Sequence, residues 1–336
     1  MNTRDSTTWV YGMELAVDID KTQAADYYRQ MLMIRRFEEA AGRLYLQGLV
    51  RGFLHLYIGE EAVAVGAIPV LDVQDYVITH YRDHGHALAR GVDPKAAMAE
   101  LCGKATGTSG GKGGSMHIFD VDRHFMGGHA IVGGQLPIAT GLALAIKQRG
   151  GDGAVMCFFG DGAVNEGEFH ESLNLASLWK LPVIFFLENN LYGMGSHVDK
   201  THAAGRDIYA SAEYYKIPAV QVDGMDLFAV REATAEALKK VRSGDGPVFL
   251  EAMTYRFRGH SMADPVAYRE TSEVEEWRVN DPIERFKFFS LAEGLMSEDE
   301  LAEIDREVIE TIEEVVEFAK NSPEPELDSL WDNVYA

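Results

Sequence analysis

Cys157-Phe158-Phe159-Gly160-Asp161-Gly162-Ala163-Val164-Asn165-Glu166-Gly167 joins a short apolar run, 154–159, to an amphipathic one, 166–179. The first reads as a buried strand. The second reads as a helix with Phe169, Leu173, Ala176 and Leu178 on its apolar side. A helix over 137–147 precedes this unit, and a second buried strand, 183–187, follows it. Weaker strands near 219–222 and 248–254 flank a helix over 226–242. Strand–helix repeats of this length predict an α/β fold, a doubly wound parallel sheet with helices on both faces. In such a sheet, ligands bind outside the carboxyl ends of the strands. Gly160-Asp161-Gly162 falls at such an end.

Upstream, residues 22–47 read as a helix through Tyr28, Leu32, Phe37, Ala41, Leu44 and Tyr45, with shorter helices at 59–67 and 94–105. Nine glycines then crowd between Ala105 and Gly134. Met116, His117, Ile118, Phe119 and Phe125 are not linker residues, so an ordered functional loop is the better reading. Downstream, Ser297 and Glu300 form a capping-box pattern. Leu301, Ile304, Val308, Ile312, Val315 and Ala319 follow as one stripe on an otherwise acidic, solvated helix. The expected organisation is an N-terminal extension over 1–21, an α/β domain over 22–270, and a helical segment over 271–336 packed on that domain.

Lys and Arg number 31 against 53 Asp and Glu, a net charge of −22 that argues against general nucleic-acid binding. Cys102 and Cys157 lack any metal-binding or redox spacing and read as free thiols. No apolar run is long enough for a membrane span, and residues 1–20 resemble neither a secretory signal nor a transit peptide. The cytoplasm is the expected location.

The start of a helix attracts anions, yet Asp161 would repel a bare phosphate. A divalent cation between the two removes the conflict. No Gly-Lys-Ser/Thr follows, which excludes a P-loop, and the spacing of Gly160, Gly162 and Gly167 disfavours a dinucleotide fingerprint. At the end of the next predicted strand stands Glu188-Asn189-Asn190-Leu191-Tyr192-Gly193. If the two strands are neighbours, Asp161 and Asn190 project from one sheet edge. A carboxylate, an amide oxygen and a backbone carbonyl are hard ligands that suit Mg²⁺.

Gly160-Asp161-Gly162 through Asn189-Asn190 resembles the thiamine-diphosphate motif. Four further segments narrow the resemblance: His55 to Ala62, Tyr81 to His86, Gly111 to His117, and Tyr255 to Met262. Together they resemble the alpha subunits of pyruvate dehydrogenase components, of the thiamine-diphosphate-dependent 2-oxo acid dehydrogenase family, over about residues 25–330. The resemblance implies that Asp161, Asn190 and the carbonyl of Tyr192 hold Mg²⁺. It implies that Gly162 and Ala163 offer N–H groups to the diphosphate, which Tyr81, Arg82 and His260 contact from the side. The backbone at Ala130 and Val132 would face the aminopyrimidine ring. His55 would lie near the reacting carbon, making His55 and His260 the catalytic candidates. Ala130 stands where many members have glycine, so its contact requires a negative φ. Only Ser261 remains as a counterpart of the regulatory serines.

The implied activity is that of pyruvate dehydrogenase (acetyl-transferring), an oxidoreductase that decarboxylates pyruvate and passes the acetyl group to a lipoyl group. The implied partners are a beta subunit, in an alpha2beta2 heterotetramer, and a lipoyl-bearing dihydrolipoamide acyltransferase. The beta chain would supply the carboxylate that activates the aminopyrimidine, leaving Glu60, Glu166 and Glu188 as structural groups. His84 and His86 have an ion-binding spacing but read as packed residues. The alternatives are an acetoin or branched-chain 2-oxo acid dehydrogenase alpha subunit and, in another class, a non-catalytic assembly or regulatory subunit.

Overall fold

The structure is a computed structural model that describes residues 19–334. The N-terminal extension expected over 1–21 lies almost wholly outside the described residues. The strands are β1 (Tyr76–His80), β2 (Phe125–His129), β3 (Val155–Gly160), β4 (Val183–Asn189), β5 (Tyr192–Gly193), β6 (Ser196–His197), β7 (Ala219–Asp223) and β8 (Val248–Met253). Six of them make one parallel sheet in the order β2-β1-β3-β4-β8-β7, while β5 and β6 form a small antiparallel hairpin. The chain leaves β1 for β2 on one side and crosses back to β3 on the other. This reversal opens a crevice at the carboxyl ends of β1 and β3, where α/β sheets bind ligands.

The helices used below are α1 (Lys21–Leu46), α2 (Glu61–Ala67), α3 (His84–Ala89), α4 (Pro94–Leu101), α5 (Gln135–Gln148), α6 (Gly167–Leu178), α7 (Val198–Thr201), α8 (Leu227–Arg242), α9 (Thr271–Arg278), α10 (Pro282–Ala292) and α11 (Glu298–Asn321). Central strands β3 and β4 are apolar along most of their length because both sheet faces are covered. Phe158 meets the ring of His86 on α3 at 4.3 Å, and its neighbour Phe159 meets Phe169 on α6 at 5.9 Å. The acidic helix α11 buries all six residues of the expected stripe and begins with the Ser297/Glu300 capping box. It packs on α1 and α4, and Asp305 pairs with Arg36 at 2.9 Å.

Eight of these elements, β1, β2, β5, β6, α3, α7, α9 and α10, occur where the sequence pattern predicted none. β2 contains Gly127-Gly128, an unpromising strand by composition. The glycines are there for close approach. A Cβ at Gly128 would lie 2.0 Å from Asp83 Oδ2, and one at Gly127 (φ +89°) would lie 2.3 Å from the Phe119 ring. α2 starts at Glu61 rather than 59 because Gly59 has a φ of +108°.

The glycine-rich stretch is ordered by one carboxylate. Glu100, fully buried on α4, accepts N–H bonds from Ser109 (2.8 Å), Gly111 (2.9 Å), Gly113 (2.7 Å) and Gly114 (3.0 Å). The loop wraps its amides around an internal anion. Replacing Glu100 by Ala leaves four amides to find other partners. A loss of more than about 2 kcal/mol in stability is expected, with new protease cuts over 105–114. Wild-type resistance to limited proteolysis in Glu100→Ala would contradict this role.

A second buried carboxylate joins α1 to α3. Glu38 Oε1 accepts the Tyr57 N–H at 2.8 Å and Oε2 bonds His84 Nδ1 at 2.8 Å, while His84 Nε2 lies 3.0 Å from Ser115 Oγ. Burial opposes charge on His84, but Glu38 overcomes it and raises the imidazole to about 9. A raised folded-state value contributes stability fully below the unfolded value near 6.5 and loses it as pH rises through about 9. The thermal midpoint is therefore expected to fall over this window. His84→Asn should lower the midpoint at pH 6.5 and flatten its dependence above pH 7. An unchanged slope in the variant would remove the charged His84–Glu38 pair from the account.

Candidate active site

Gly160 on β3 pairs in register with Glu188 on β4. Asp161 and Asn190 therefore leave the same sheet edge on adjacent strands, as the sequence spacing required. Asp161 opens a tight turn, 161–165, ahead of α6, and Asn190 opens the turn into the β5–β6 hairpin. The two turns touch through backbone. A Cβ on Gly193 would stand 3.3 Å from Gly162 Cα and 3.7 Å from Asp161 Oδ2. Glycine at 193 lets the hairpin close over the Asp161 carboxyl.

Asn190 Nδ2 donates to Glu60 Oε1 at 3.2 Å, and Asn190 Oδ1 accepts the Tyr192 N–H at 3.3 Å. The Tyr192 carbonyl accepts from Arg256 Nη1 at 3.2 Å, and Arg256 Nη2 reaches the Met194 carbonyl at 3.2 Å. Both oxygens keep a further lone pair. Burial pushes the Asp161 carboxyl up to about 6, against the opposing pull of Arg256, of the N–H groups of Asp161 and Asn190, and of Arg82. A cation there would restore the charged form.

The other wall comes from the end of β1 and two loops. The rings of His55, Tyr81 and His260 cluster: His55–Tyr81 at 4.5 Å, His55–His260 at 5.1 Å and Tyr81–His260 at 5.6 Å. Arg82 is buried. Its Nη1 donates to the Leu56 carbonyl at 2.9 Å and its Nη2 to the His260 carbonyl at 3.0 Å. In this arrangement Arg82 braces the loops carrying His55 and His260 while adding positive charge to the cleft. Burial, then Arg82, hold the His55 imidazole down to about 2, and burial, Arg82 and Arg256 hold His260 to about 3. Both rings are neutral at ordinary pH.

Beneath the cleft, Glu188 ties the two walls together. It accepts from Tyr57 Oη, from His80 Nε2 at 2.7 Å and from His86 Nε2 at 3.0 Å. His80 Nδ1 in turn accepts the Arg82 N–H at 3.0 Å. His84 and His86 thus face different carboxylates, Glu38 and Glu188, and do not form one ligand pair. Glu60 lies between the walls: burial and Glu188 push it up to about 8, against Arg82, Asn190 and Arg256.

Ala130 and Val132 follow β2, and Ala130 has the negative φ that its backbone contact requires. Their loop meets the Asp161 turn at Gly133, where a Cβ would lie 3.2 Å from Glu166 Cβ. Ala163 is buried in that turn. Arg256 and Glu60 were not singled out as site residues from the sequence. The Tyr-Arg-Phe alternation of 255–257 gives no sign that the arginine is buried, and Glu60 reads as the start of a helix.

Among the described residues, three buried polar atoms in the cleft make no hydrogen bond: His55 Nδ1, His260 Nδ1 and Glu60 Oε2, the last lying 3.5 Å from Arg82 Nε as an ion pair. With the Gly162–Gly193 cradle and the hard-oxygen set of Asp161, Asn190 and Tyr192, the residues fit a cation-bound diphosphate. Among the described residues no three His, Cys, Asp or Glu side chains converge as a metal cluster, and no helix is long and apolar enough to cross a membrane.

The dehydrogenase E1 component family matches residues 29–328. The chain is 50% identical over 308 residues to the pyruvate dehydrogenase E1 component subunit alpha of Rhizobium meliloti, covering 91% of this chain and 88% of that one. It is 47% identical over 317 residues to the protein of the same name from Zymomonas mobilis, covering 94% and 89%. With that from Rickettsia bellii it shares 46% over 308 residues, covering 92% and 94%. By these likenesses, and with the cleft that the sheet edge builds, the chain belongs to the dehydrogenase E1 component family.

Proposed function

We propose that this chain is the alpha subunit of the pyruvate dehydrogenase component of a 2-oxo acid dehydrogenase complex. It serves the thiamine-diphosphate-dependent oxidative decarboxylation of pyruvate, with acetyl transfer to a lipoyl group of a dihydrolipoamide acyltransferase. The observation that carries the reading is the convergence of Asp161, Asn190 and the Tyr192 carbonyl beside the neutral pair His55 and His260. The relatives' shared name supports pyruvate over acetoin or a branched-chain 2-oxo acid. A bacterial-type cytoplasmic location accords with the kind of relatives found.

When bound, thiamine diphosphate supplies the thiazolium carbanion and electron sink of the reaction. The chain's own residues hold and surround it. Asp161, Asn190 and Tyr192 would hold Mg²⁺ against the diphosphate, and Gly162 and Ala163 would turn N–H groups toward it. Tyr81 and His260 line its side, with Arg82 adding charge from behind. Ala130 and Val132 would meet the aminopyrimidine through backbone. His55 and His260, neutral and each with an unpartnered Nδ1, can donate or accept a hydrogen bond to the substrate without adding charge. Ile131 and Ile138 stand exposed beside this wall, as a beta subunit covering the cleft would require.

Asp161→Ala removes the one formal negative charge assigned to the cation. In the assembled alpha–beta enzyme, affinity for thiamine diphosphate in the presence of Mg²⁺ should fall tenfold or more, at about 1.4 kcal/mol per decade. Calorimetric titration measures it, and wild-type affinity in the variant would remove the cation site. The chain without a beta subunit should not turn over pyruvate. With one, pyruvate should exceed acetoin and branched-chain 2-oxo acids in kcat/KM. Full turnover by the isolated chain, or a preference for another substrate, would overturn the respective claim.

A further inference from the structure

β4 ends at Asn189, one residue before Asn190, the asparagine assigned to the cation. Asn189 is fully buried. Its Nδ2 donates to Glu251 Oε1 at 2.7 Å, and its Oδ1 accepts the Leu191 N–H at 3.1 Å. Glu251 is fully buried on β8, in register with Leu187. Its Oε2 accepts the Tyr209 N–H at 2.8 Å and Gln221 Nε2 at 3.2 Å. A carboxyl among three donors leaves the Asn189 amide one way to face, with nitrogen toward Glu251 and oxygen toward Leu191.

That orientation matters because Leu191 has a φ of +73°, a left-handed conformation that a branched side chain adopts only when its surroundings impose it. The Leu191 side chain is buried, and its carbonyl accepts the Val198 N–H at 2.8 Å, at the start of α7. The corner is therefore held at its amide, its side chain and its carbonyl. It separates Asn190 from Tyr192, the two donors assigned to the cation on this wall.

We propose that Glu251 and Asn189 are positioning residues for the cation site: Glu251 orients the Asn189 amide, Asn189 holds the left-handed corner at Leu191, and that corner aims Asn190 and the Tyr192 carbonyl toward Asp161. The inference rests on the cofactor-site reading given under Proposed function.

The test uses the assembled alpha–beta enzyme. Thiamine diphosphate binding is titrated with Mg²⁺ by quenching of tryptophan fluorescence, alongside turnover at saturating cofactor and the thermal midpoint. Asn189→Ala should raise the Mg²⁺ concentration for half-saturation by about tenfold, and Glu251→Gln by about threefold, with turnover at saturating cofactor falling less than affinity. Adding Leu191→Gly to Asn189→Ala relieves the left-handed strain but removes a buried side chain. The double variant should recover Mg²⁺ affinity while its thermal midpoint drops further. A purely structural role would make both worsen together.

Asp161→Ala is the control for the site itself. Loss of Mg²⁺-dependent binding in Asp161→Ala, with wild-type half-saturation in Asn189→Ala and Glu251→Gln, would overturn the positioning roles and leave the site standing. Failure of Leu191→Gly to restore affinity would also overturn them. Wild-type Mg²⁺ dependence in Asp161→Ala would instead remove the site reading. If Asn189→Ala does not assemble, Glu251→Gln with and without Leu191→Gly makes the same comparison.

Discussion

The pairing of Gly160 with Glu188 across β3 and β4 is the constraint on which the site depends. Parallel strands in register deliver the residues that follow them to one edge. Here those residues are Asp161 and, beyond Asn189, Asn190. A shift of one residue in a strand would turn its side chains to the opposite face. It would break the Asn189–Glu251 bond and draw Asn190 away from the Asp161 turn. The apolar faces of β3 and β4, packed against α3 on one side and α6 on the other, hold this register. The Gly162–Gly193 contact then closes the distance that the strands alone leave open.

The buried charge under the cleft follows from the same geometry. Glu188 reaches His80 and, through His80 Nδ1, the Arg82 amide. Arg82 in turn holds the carbonyls of Leu56 and His260. One chain of bonds thus runs from β4, two residues before the expected cation ligand, to the backbone of Leu56, next to His55, and of His260 on the facing wall. Breaking such a network by removing one partner leaves the others buried and unpaired, which is strongly destabilising. The cleft that results is rich in donors and neutral rings and is suited to an anionic ligand.

The sequence was most legible where periodicity and chemistry coincided. The stripe of α11, the strands β3 and β4, and the edge carrying Asp161 and Asn190 follow from residue pattern alone. β2 was not legible, because its glycines serve contacts with Asp83 and Phe119 that no local pattern encodes. Arg82 could be named as a phosphate-facing side chain, but not as the brace between Leu56 and His260. Arg256 was missed for the same reason: its partners, the carbonyls of Tyr192 and Met194, are more than sixty residues away. Glu100 shows the pattern again, since a helix carboxylate gives no local hint that it organises a glycine loop. Long-range hydrogen bonds to backbone leave no periodic trace in a sequence.

The most direct measurement of the central claim is the position of the cation. Crystals of the assembled alpha–beta enzyme grown with thiamine diphosphate and Mn²⁺ in place of Mg²⁺ would carry an anomalous signal. One strong peak is expected at about 2.0–2.3 Å from an Asp161 carboxylate oxygen, Asn190 Oδ1 and the Tyr192 carbonyl, with the diphosphate against the N–H groups of Gly162 and Ala163. A peak coordinated by other residues, or a diphosphate bound away from the 161–165 turn, would contradict it.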